Sequence, residues 1–168
     1  VPVIQGTSRI EAGRYQRDTD VYAVGPAMPI AWRYHVAQGR FLPDDGLRNS
    51  RYFVTLGAKV KEELFRGRNA LGEYVRIGGS RFQIIGVMEP KGQMMGFDID
   101  DIAYVPVASA MDLFNQDELF EIDLIYSSAR DAARVEAEVK RVLTLRHGDE
   151  DFTVTSQEAM LDVFGKVM

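Results

Sequence analysis

The sequence predicts an α+β fold. In two segments, residues 51–90 and 120–145, the spacing of apolar residues changes from the alternation typical of a strand to the repeat of three to four typical of a helix. The chain has 168 residues, of which 46% are hydrophobic, so it is long enough to form a core. We therefore expect one globular domain or two small lobes.

The N-terminal part predicts short strands and turns. Residues 1–4 are apolar, residues 11–20 are mostly polar and predict a turn or a strand edge, and residues 21–24 predict an extended segment. Residues 29–36 predict a short helix or an irregular turn.

The central segment predicts a strand, a helix and a hairpin. Residues 52–56 are β-branched and aromatic and precede a glycine, which indicates a buried strand. In residues 58–65 the apolar side chains recur at helical spacing, so the predicted helix has one apolar face. Residues 74–77 and 81–85 predict two strands, and Gly78-Gly79-Ser80 between them is short enough for a tight hairpin.

Residues 89–101 predict a loop, which contains Met94, Met95 and Phe97. Three large apolar residues so close together either pack onto the core or contact a partner. We keep these three residues as a candidate partner-contact site. A strand over residues 102–107 and a helix over residues 108–114 are expected to follow.

The C-terminal part predicts a strand, a helix and a second strand, over residues 120–126, 131–145 and 152–155. The apolar face of this helix consists of Val135, Val139, Val142 and Leu143. Two such strands around a helix are expected to be parallel with a right-handed connection. A last amphipathic segment begins near Ser156.

Composition excludes several functions. The net charge of -5 and the pI near 5.1 disfavour binding to nucleic acid or to an anionic membrane. The absence of cysteine excludes disulfides, thiolate metal sites and thiol nucleophiles. No apolar run approaches the roughly 18 residues of a membrane span. Because the chain begins at Val1 within a predicted strand, we expect it to be a domain of a longer membrane protein.

No catalytic, cofactor-binding or metal-binding residue is predicted. His35 and His147 are the two histidines, and neither has a histidine or cysteine partner at metal-ligand spacing. Two acidic groups are expected to be solvated loops: Asp149-Glu150-Asp151, and Asp98 with Asp100 and Asp101. The glycines do not follow a nucleotide-binding spacing, and no serine lies in a nucleophile elbow.

The order and spacing of several short motifs resemble the extracytoplasmic core domain of MacB-type ABC-transporter permeases. The motifs are Gly39-Arg40-Phe41, Pro43-Asp44-Asp45, Leu56-Gly57, Leu64-Phe65, Leu71-Gly72, Val75-Arg76-Ile77, Phe82, Ile85-Gly86-Val87-Met88, Tyr104-Val105-Pro106-Val107 and Ala110-Met111. They cover roughly residues 21–114 closely and the remainder loosely. Each is structural rather than catalytic, so the resemblance depends on the whole set.

The resemblance implies two lobes. Residues 21–115 would form a mostly β lobe inserted into a mixed α/β, porter-like lobe made of residues 1–20 and 116–168. The family's α/β lobe begins with a strand and a helix upstream of the segment present here, so this lobe would be incomplete.

The resemblance also implies a function. The domain would be the extracytoplasmic (periplasmic) part of a cell-membrane permease, non-catalytic itself, and would pass ATP-driven motion of the membrane helices to an external partner or cargo. Implied partners are an ABC ATPase domain or subunit, where ATP would bind, a second copy of the permease, and a periplasmic adaptor or outer-membrane component. No cofactor is implied for this domain. The alternatives are a stand-alone module that binds a small ligand or peptide through residues 89–101, and an enzyme.

Overall fold

The computed structural model describes residues 1–45, 51–94, 97–114, 121–125, 131–156 and 159. The chain divides into two compact units, Val1–Leu124 and Ile125–Met168. Helices and strands occur together as predicted, and the fold is α+β. Among the described residues, no helix is both long enough and apolar enough to cross a membrane.

The first unit contains most of the secondary structure. Its strands are β1 (Pro2–Ala12), β2 (Tyr15–Val24), β3 (Val36–Gly39), β4 (Phe53–Leu56), β5 (Tyr74–Ile77), β6 (Ser80–Met88), β7 (Gln93–Met94), β8 (Phe97–Asp98), β9 (Ile102–Pro106) and β10 (Glu121–Ile122). Its helices are α1 (Met28–Ala31), α2 (Ala58–Phe65) and α3 (Val107–Phe114), and a 3-10 turn covers Ile99–Asp101.

Six strands of the first unit close into a ring. The order around the ring is β1, β2, β9, β4, β6 and β5, and β5 returns to β1 through the pairs Ile10–Ile77 and Glu11–Arg76. Strand β3 extends the sheet beside β6, and β10 extends it beside β1. The pairs β2–β9 and β4–β6 are parallel, and the others in the ring are antiparallel.

The predicted central segment is confirmed. Its strand is β4, its helix is α2, and its hairpin is β5–β6. Gly78 and Gly79 form the turn with φ of 56° and 87°, and a two-residue turn with both φ values positive matches the twist of the strands it joins. The predicted strand and helix that follow residue 101 are confirmed as β9 and α3.

Two segments predicted to be irregular contain more regular structure than expected. Residues 11–20 include the predicted turn, at Gly13 and Arg14, and the rest of them belongs to the long hairpin β1–β2. Most of the polar side chains in this segment face solvent, and several pair across the strands, as in Thr7–Asp20 and Arg9–Asp18, whereas Thr19 is buried. Residues 89–101 contain the short hairpin β7–β8 and the 3-10 turn as well as irregular backbone.

The core of the first unit has two parts, on the two faces of the sheet. Alternate residues of β9 show the division, because Ala103 and Val105 lie in one apolar cluster whereas Ile102 and Tyr104 lie in the other. All four are at most 3% exposed. A strand buried on both faces needs a continuous apolar sequence, which residues 102–105 provide.

The expected division into two lobes stays a prediction. The expected boundary between residues 20 and 21 falls within β2, and β1 pairs with both β2 and β5. Residues 1–20 therefore belong to the same compact unit as residues 21–115, because β1 closes the ring. The insertion of one lobe into another stays a prediction.

The second unit contains α4 (Ala132–His147), which confirms the best predicted helix. Gly148 follows with φ of 82°, the left-handed conformation in which glycine commonly ends a helix.

The strand predicted over residues 152–155 is wrong, because no described strand pairs with this segment. Of the predicted strand over residues 120–126, only Glu121–Ile122 is a strand, within the first unit, and residues 120 and 126 lie outside the described residues. In the last amphipathic segment, the structure describes only Ala159 beyond residue 156.

Candidate functional site

The candidate partner-contact residues lie on or beside the short hairpin β7–β8. Met94 pairs with Phe97 and Gln93 pairs with Asp98. Met95, together with the side chains of Met94 and Phe97, lies outside the described residues. A role of these three residues in contacting a partner therefore stays a prediction.

The base of this hairpin is fixed by Asp100. Its carboxylate accepts hydrogen bonds from the backbone N–H groups of Lys91 and Gly92, both at 2.8 Å, and from the Tyr34 hydroxyl at 3.4 Å. The Lys91 ammonium donates to the carbonyl oxygens of Trp32 and Arg33. Burial and the nearby Asp100 carboxylate raise the pKa of Tyr34 well above its usual value. The segment before the hairpin is thus attached to the core at both backbone and side-chain level.

Asp101 forms a bidentate ion pair with Arg17 near this site. Its two oxygens accept from Arg17 at 2.9 and 2.6 Å, and Oδ1 also accepts from the Thr19 hydroxyl at 3.0 Å. Burial acts to raise the pKa of Asp101, but the hydrogen bonds from Arg17 and Thr19, with the charges of Arg17 and Lys59, outweigh it and lower the pKa. Asp101 connects the 3-10 turn to β2.

The prediction that Asp98, Asp100 and Asp101 form a solvated loop is therefore wrong. Asp98 also has partners, since it accepts from the Lys59 ammonium at 3.1 Å and from the Asp100 N–H at 3.2 Å. The carboxylates connect β2, α2 and the segment after Pro90. Their arrangement positions the backbone of this segment.

A second feature, which the sequence did not predict, is a groove between the tip of the β1–β2 hairpin, the C-terminal end of α2 and the start of β5. We call it the arginine groove. It has a volume of about 760 Å³ and is lined by Ala12, Gly13, Arg14, Tyr15, Phe65, Arg66, Arg68, Glu73 and Tyr74.

The arginines of the groove lie over aromatic rings. The guanidinium carbons of Arg14 and Arg66 are each 5.1 Å from the centre of the Tyr15 ring, and that of Arg68 is 5.9 Å from the Phe65 ring. Arg14 also donates to the Tyr15 hydroxyl at 3.1 Å. This hydrogen bond, the charge of Arg14 and the charges of the other two arginines lower the pKa of Tyr15. The lowered pKa reflects three positive charges around one phenol.

The positive charge of the groove is not compensated by ion pairs within the described part of the chain. There, no carboxylate lies within 4.0 Å of the nitrogens of Arg14, Arg66 or Arg68, whereas Arg17 on β2 contacts both Asp101 and Glu63. Glu73 is the one acidic residue that lines the groove. The three guanidinium groups are exposed and can donate hydrogen bonds to a ligand.

The backbone of Arg66 is in the left-handed conformation, with φ of 52° and ψ of 52°. This conformation is rare for a residue with a side chain and costs roughly 1–2 kcal/mol. Arg66 caps α2, and its N–H donates to the Glu62 carbonyl oxygen. In this conformation the Arg66 guanidinium lies beside Tyr15, at a position where a glycine would have no side chain.

The groove could not be predicted from the sequence, because its residues come from three separate segments. Two local motifs in the sequence belong to the groove, Gly13-Arg14-Tyr15 and Arg66-Gly67-Arg68. Both combine arginine with glycine, and they lie about fifty residues apart. Each is ordinary in a surface turn. The packing of α2 against the β1–β2 hairpin brings them together, and no sequence pattern predicted that packing.

The remaining candidates show no catalytic arrangement. The backbone of His35 pairs with Glu89. His147 Nδ1 lies 2.7 Å from an Asp151 oxygen, and this hydrogen bond lowers the pKa of Asp151. Asp149, Glu150 and Asp151 are exposed. Among the described residues, no three histidine, cysteine or acidic side chains are grouped so as to hold a metal ion.

Comparison with known proteins gives a match over most of the chain. The model of a family described as "MacB-like periplasmic core domain" matches residues 1–142. The macrolide export ATP-binding/permease protein MacB of Marinobacter nauticus is 26% identical over 168 residues, which is 99% of this chain and 26% of that protein. The pyoverdine export ATP-binding/permease protein PvdT of Pseudomonas entomophila is 28% identical over 165 residues, which is 96% of this chain and 25% of that protein.

The fold is also that of a solved periplasmic region. The crystal structure of the periplasmic region of MacB from Actinobacillus actinomycetemcomitans matches with a TM-score of 0.78 at 19% identity, over 98% of this chain and 74% of that one. This chain spans about a quarter of the length of the curated relatives it matches.

Proposed function

Since this chain belongs to the family of MacB-like periplasmic core domains, we propose that it transmits the ATP-driven motion of a permease's membrane helices to a partner or cargo outside the membrane. The observation that carries the proposal is the family match over residues 1–142. It favours a transporter domain over a stand-alone binding module.

The names of the relatives support an export function. The two relatives described above are named as ATP-binding/permease proteins for export, one of macrolides and the other of pyoverdine. Because their named cargoes differ, the relatives do not identify the cargo of this chain. We propose that ATP binds to an ABC ATPase domain or subunit of the same transporter, and that this domain is itself non-catalytic.

The fold suits a domain that moves as a body. The closed ring of strands has a packed apolar cluster on each face, and well-packed interiors resist compression and transmit strain. A displacement applied at one end of the first unit would then reach the other end without being absorbed by deformation.

The proposed transporter is a dimer of the permease and works with a periplasmic adaptor or an outer-membrane component.

The first test is the location of the domain in the transporter that contains it. The chain has no cysteine, so a single Gln38→Cys substitution on exposed β3 introduces one label site in this segment, in a transporter whose other cysteines are replaced by serine. In intact cells, a membrane-impermeant maleimide should label this cysteine as completely as it does after lysis. Labelling that requires lysis would contradict the extracytoplasmic location.

The second test is the motion itself. A spin label on the same cysteine reports the distance between two copies in the purified transporter. We expect the distance distribution to differ between the nucleotide-free state and a state trapped with ATP in a hydrolysis-deficient ATPase. Identical distributions in the two states, measured on a transporter that exports its cargo, would refute transmission through this domain.

A further inference from the structure

We propose that the arginine groove binds an acidic peptide segment of a partner protein. The proposal goes beyond the transport function and depends only on the geometry and charge of the groove.

The guanidinium groups are arranged to bind carboxylates. A guanidinium has a planar set of N–H donors that matches a carboxylate, and such charge-assisted hydrogen bonds are stronger than neutral ones. Arg14 and Arg66 are held over one ring, that of Tyr15, and Arg68 also donates to the Phe65 carbonyl oxygen at 3.2 Å. Because these contacts already restrict the side chains, less conformational entropy is lost when a ligand binds.

Charge complementarity favours an anionic occupant. The groove has three arginines and one glutamate, although the chain as a whole has a net charge of -5. Arg81, whose guanidinium lies 3.7 Å from the centre of the Tyr74 ring, adds a further positive charge beside the groove. A local excess of positive charge attracts acidic segments of a partner.

Glu73 and the tyrosines favour a peptide over a phosphate compound. A densely charged phosphate ligand would be repelled by the Glu73 carboxylate, whereas a peptide can donate a backbone N–H to it. Tyr74 is 47% exposed and offers an aromatic surface to the aliphatic parts of a peptide. A volume of about 760 Å³ is enough for a segment of several residues.

The backbone of Arg66 is an independent observation. A glycine at the end of α2 would adopt the left-handed conformation without strain, and Gly67 does so at the next position with φ of 82°. Arginine at this position is therefore unfavourable for folding. Strain of this kind, where an observed outlier coincides with a charged groove, is typical of binding sites.

The test is binding of a fluorescein-labelled hexaglutamate peptide to the full chain at low salt, measured by fluorescence anisotropy. The groove variant is Arg14→Gln with Arg66→Gln. The control variant is Arg9→Gln with Arg141→Gln, which removes the same net charge from two arginines that are exposed and outside the groove. Circular dichroism and urea unfolding establish that both variants are folded.

We expect saturable binding to the unmodified chain, weakened about tenfold or more in the groove variant, because that variant loses two guanidinium groups that donate charge-assisted hydrogen bonds to the peptide. The control variant should differ from the unmodified chain by less than about twofold, since neither arginine lines the groove. A hexaglutamine peptide should not bind.

Three results would overturn the proposal. One is the absence of saturable hexaglutamate binding, and another is an equal loss of affinity in the two variants, which would indicate unspecific attraction. The third is displacement of the peptide by inorganic pyrophosphate at concentrations below those of the peptide itself, which would identify a phosphate site. None of these results affects the labelling test of the transporter location, so the two proposals can fail separately.

Discussion

Two aspartate–arginine pairs involve neighbouring residues of β2 and differ in burial, so they give a matched prediction. Arg17 pairs with Asp101 through two hydrogen bonds, and the side chains are 26% and 23% exposed. Asp18 pairs with Arg9 through one hydrogen bond, and the side chains are 68% and 57% exposed. The variants Asp101→Asn and Asp18→Asn each remove one negative charge and leave the shape of the side chain nearly unchanged.

The expected effects differ severalfold. In Asp101→Asn, the charge-assisted bonds from Arg17 are lost or weakened, and Arg17 keeps only Glu63 at 3.9 Å. Hydrogen bonds to a charged group contribute roughly 1.5–3 kcal/mol, and partial exposure reduces this, so we expect the free energy of unfolding to fall by about 2 kcal/mol. For Asp18→Asn we expect a fall of about 0.5 kcal/mol or less, as is typical of an exposed pair.

The assay is equilibrium unfolding in urea followed by tryptophan fluorescence. Trp32 is the one tryptophan of the chain and packs edge-on against Tyr22 and Tyr104, so the signal reports the first unit alone. For a slope of roughly 2 kcal/mol/M, Asp101→Asn should lower the midpoint by about 1 M urea. Midpoints of the two variants that agree within about 0.2 M would refute the reasoning.

The pH dependence provides a second criterion for the same pair. The pKa of Asp101 is lowered in the folded state, so its stabilising effect is fully present above the unfolded pKa, near 3.9, and is lost as the pH falls through the folded pKa. The difference in stability between the unmodified chain and Asp101→Asn should therefore be constant from about pH 7 to pH 5 and shrink below about pH 4. A difference that persists unchanged at pH 3 would mean that the carboxylate charge is not its source.

Three further predictions concern the first unit. Asp100→Ala removes the acceptor that fixes the base of the β7–β8 hairpin, so amide hydrogen exchange in residues 89–98 should become faster by about tenfold or more. An unchanged exchange rate would contradict the role assigned to this carboxylate. In Gly86→Ala, the new Cβ would overlap the Arg40 carbonyl oxygen, so the free energy of unfolding measured in urea should fall by more than about 3 kcal/mol. The control is Gly79→Ala, which lies in an open turn and should cost about 1 kcal/mol. Equal losses in the two variants would contradict the clash. Because the pKa of Tyr34 is raised in the folded state, stability should decline as the pH rises above about 10, and less steeply in Tyr34→Phe; parallel declines would show that this hydroxyl is not responsible.

The elements that the sequence predicted correctly are those whose signal is local. Helix α2 has its own apolar face, and the β5–β6 hairpin has Gly78 and Gly79 to form its turn. Helix α4 has a glycine at its end. In each case the residues that determine the structure lie within a few positions of one another, so periodicity and turn chemistry were sufficient.

The closure of the sheet could not be predicted in this way. It depends on the pairing of β1 with β5, which are separated by more than sixty residues, and only two residue pairs form it. The polar sequence of residues 11–20 also obscured β2, because its outer face is solvated and its inner face carries few large apolar side chains near the hairpin tip. The strand predicted over residues 152–155 was wrong for the opposite reason, since a suitable local pattern does not form a strand without a partner.

The same distinction explains why the acidic residues near position 100 were misjudged and the arginine groove was missed. A run of carboxylates is usually solvated, whereas this one is half-buried and paired. Its partners are Arg17 and Lys59 from distant segments and the nearby backbone N–H groups of Lys91 and Gly92. In the groove the situation is reversed, since the described positive charges have no acidic partners within ion-pair distance. The paired carboxylates near position 100 already have their partners, whereas the groove arginines lie over aromatic rings without ion-pair partners among the described residues. The arginines are therefore the better candidates for binding. The cost of desolvating them would be offset by their contacts with a complementary ligand.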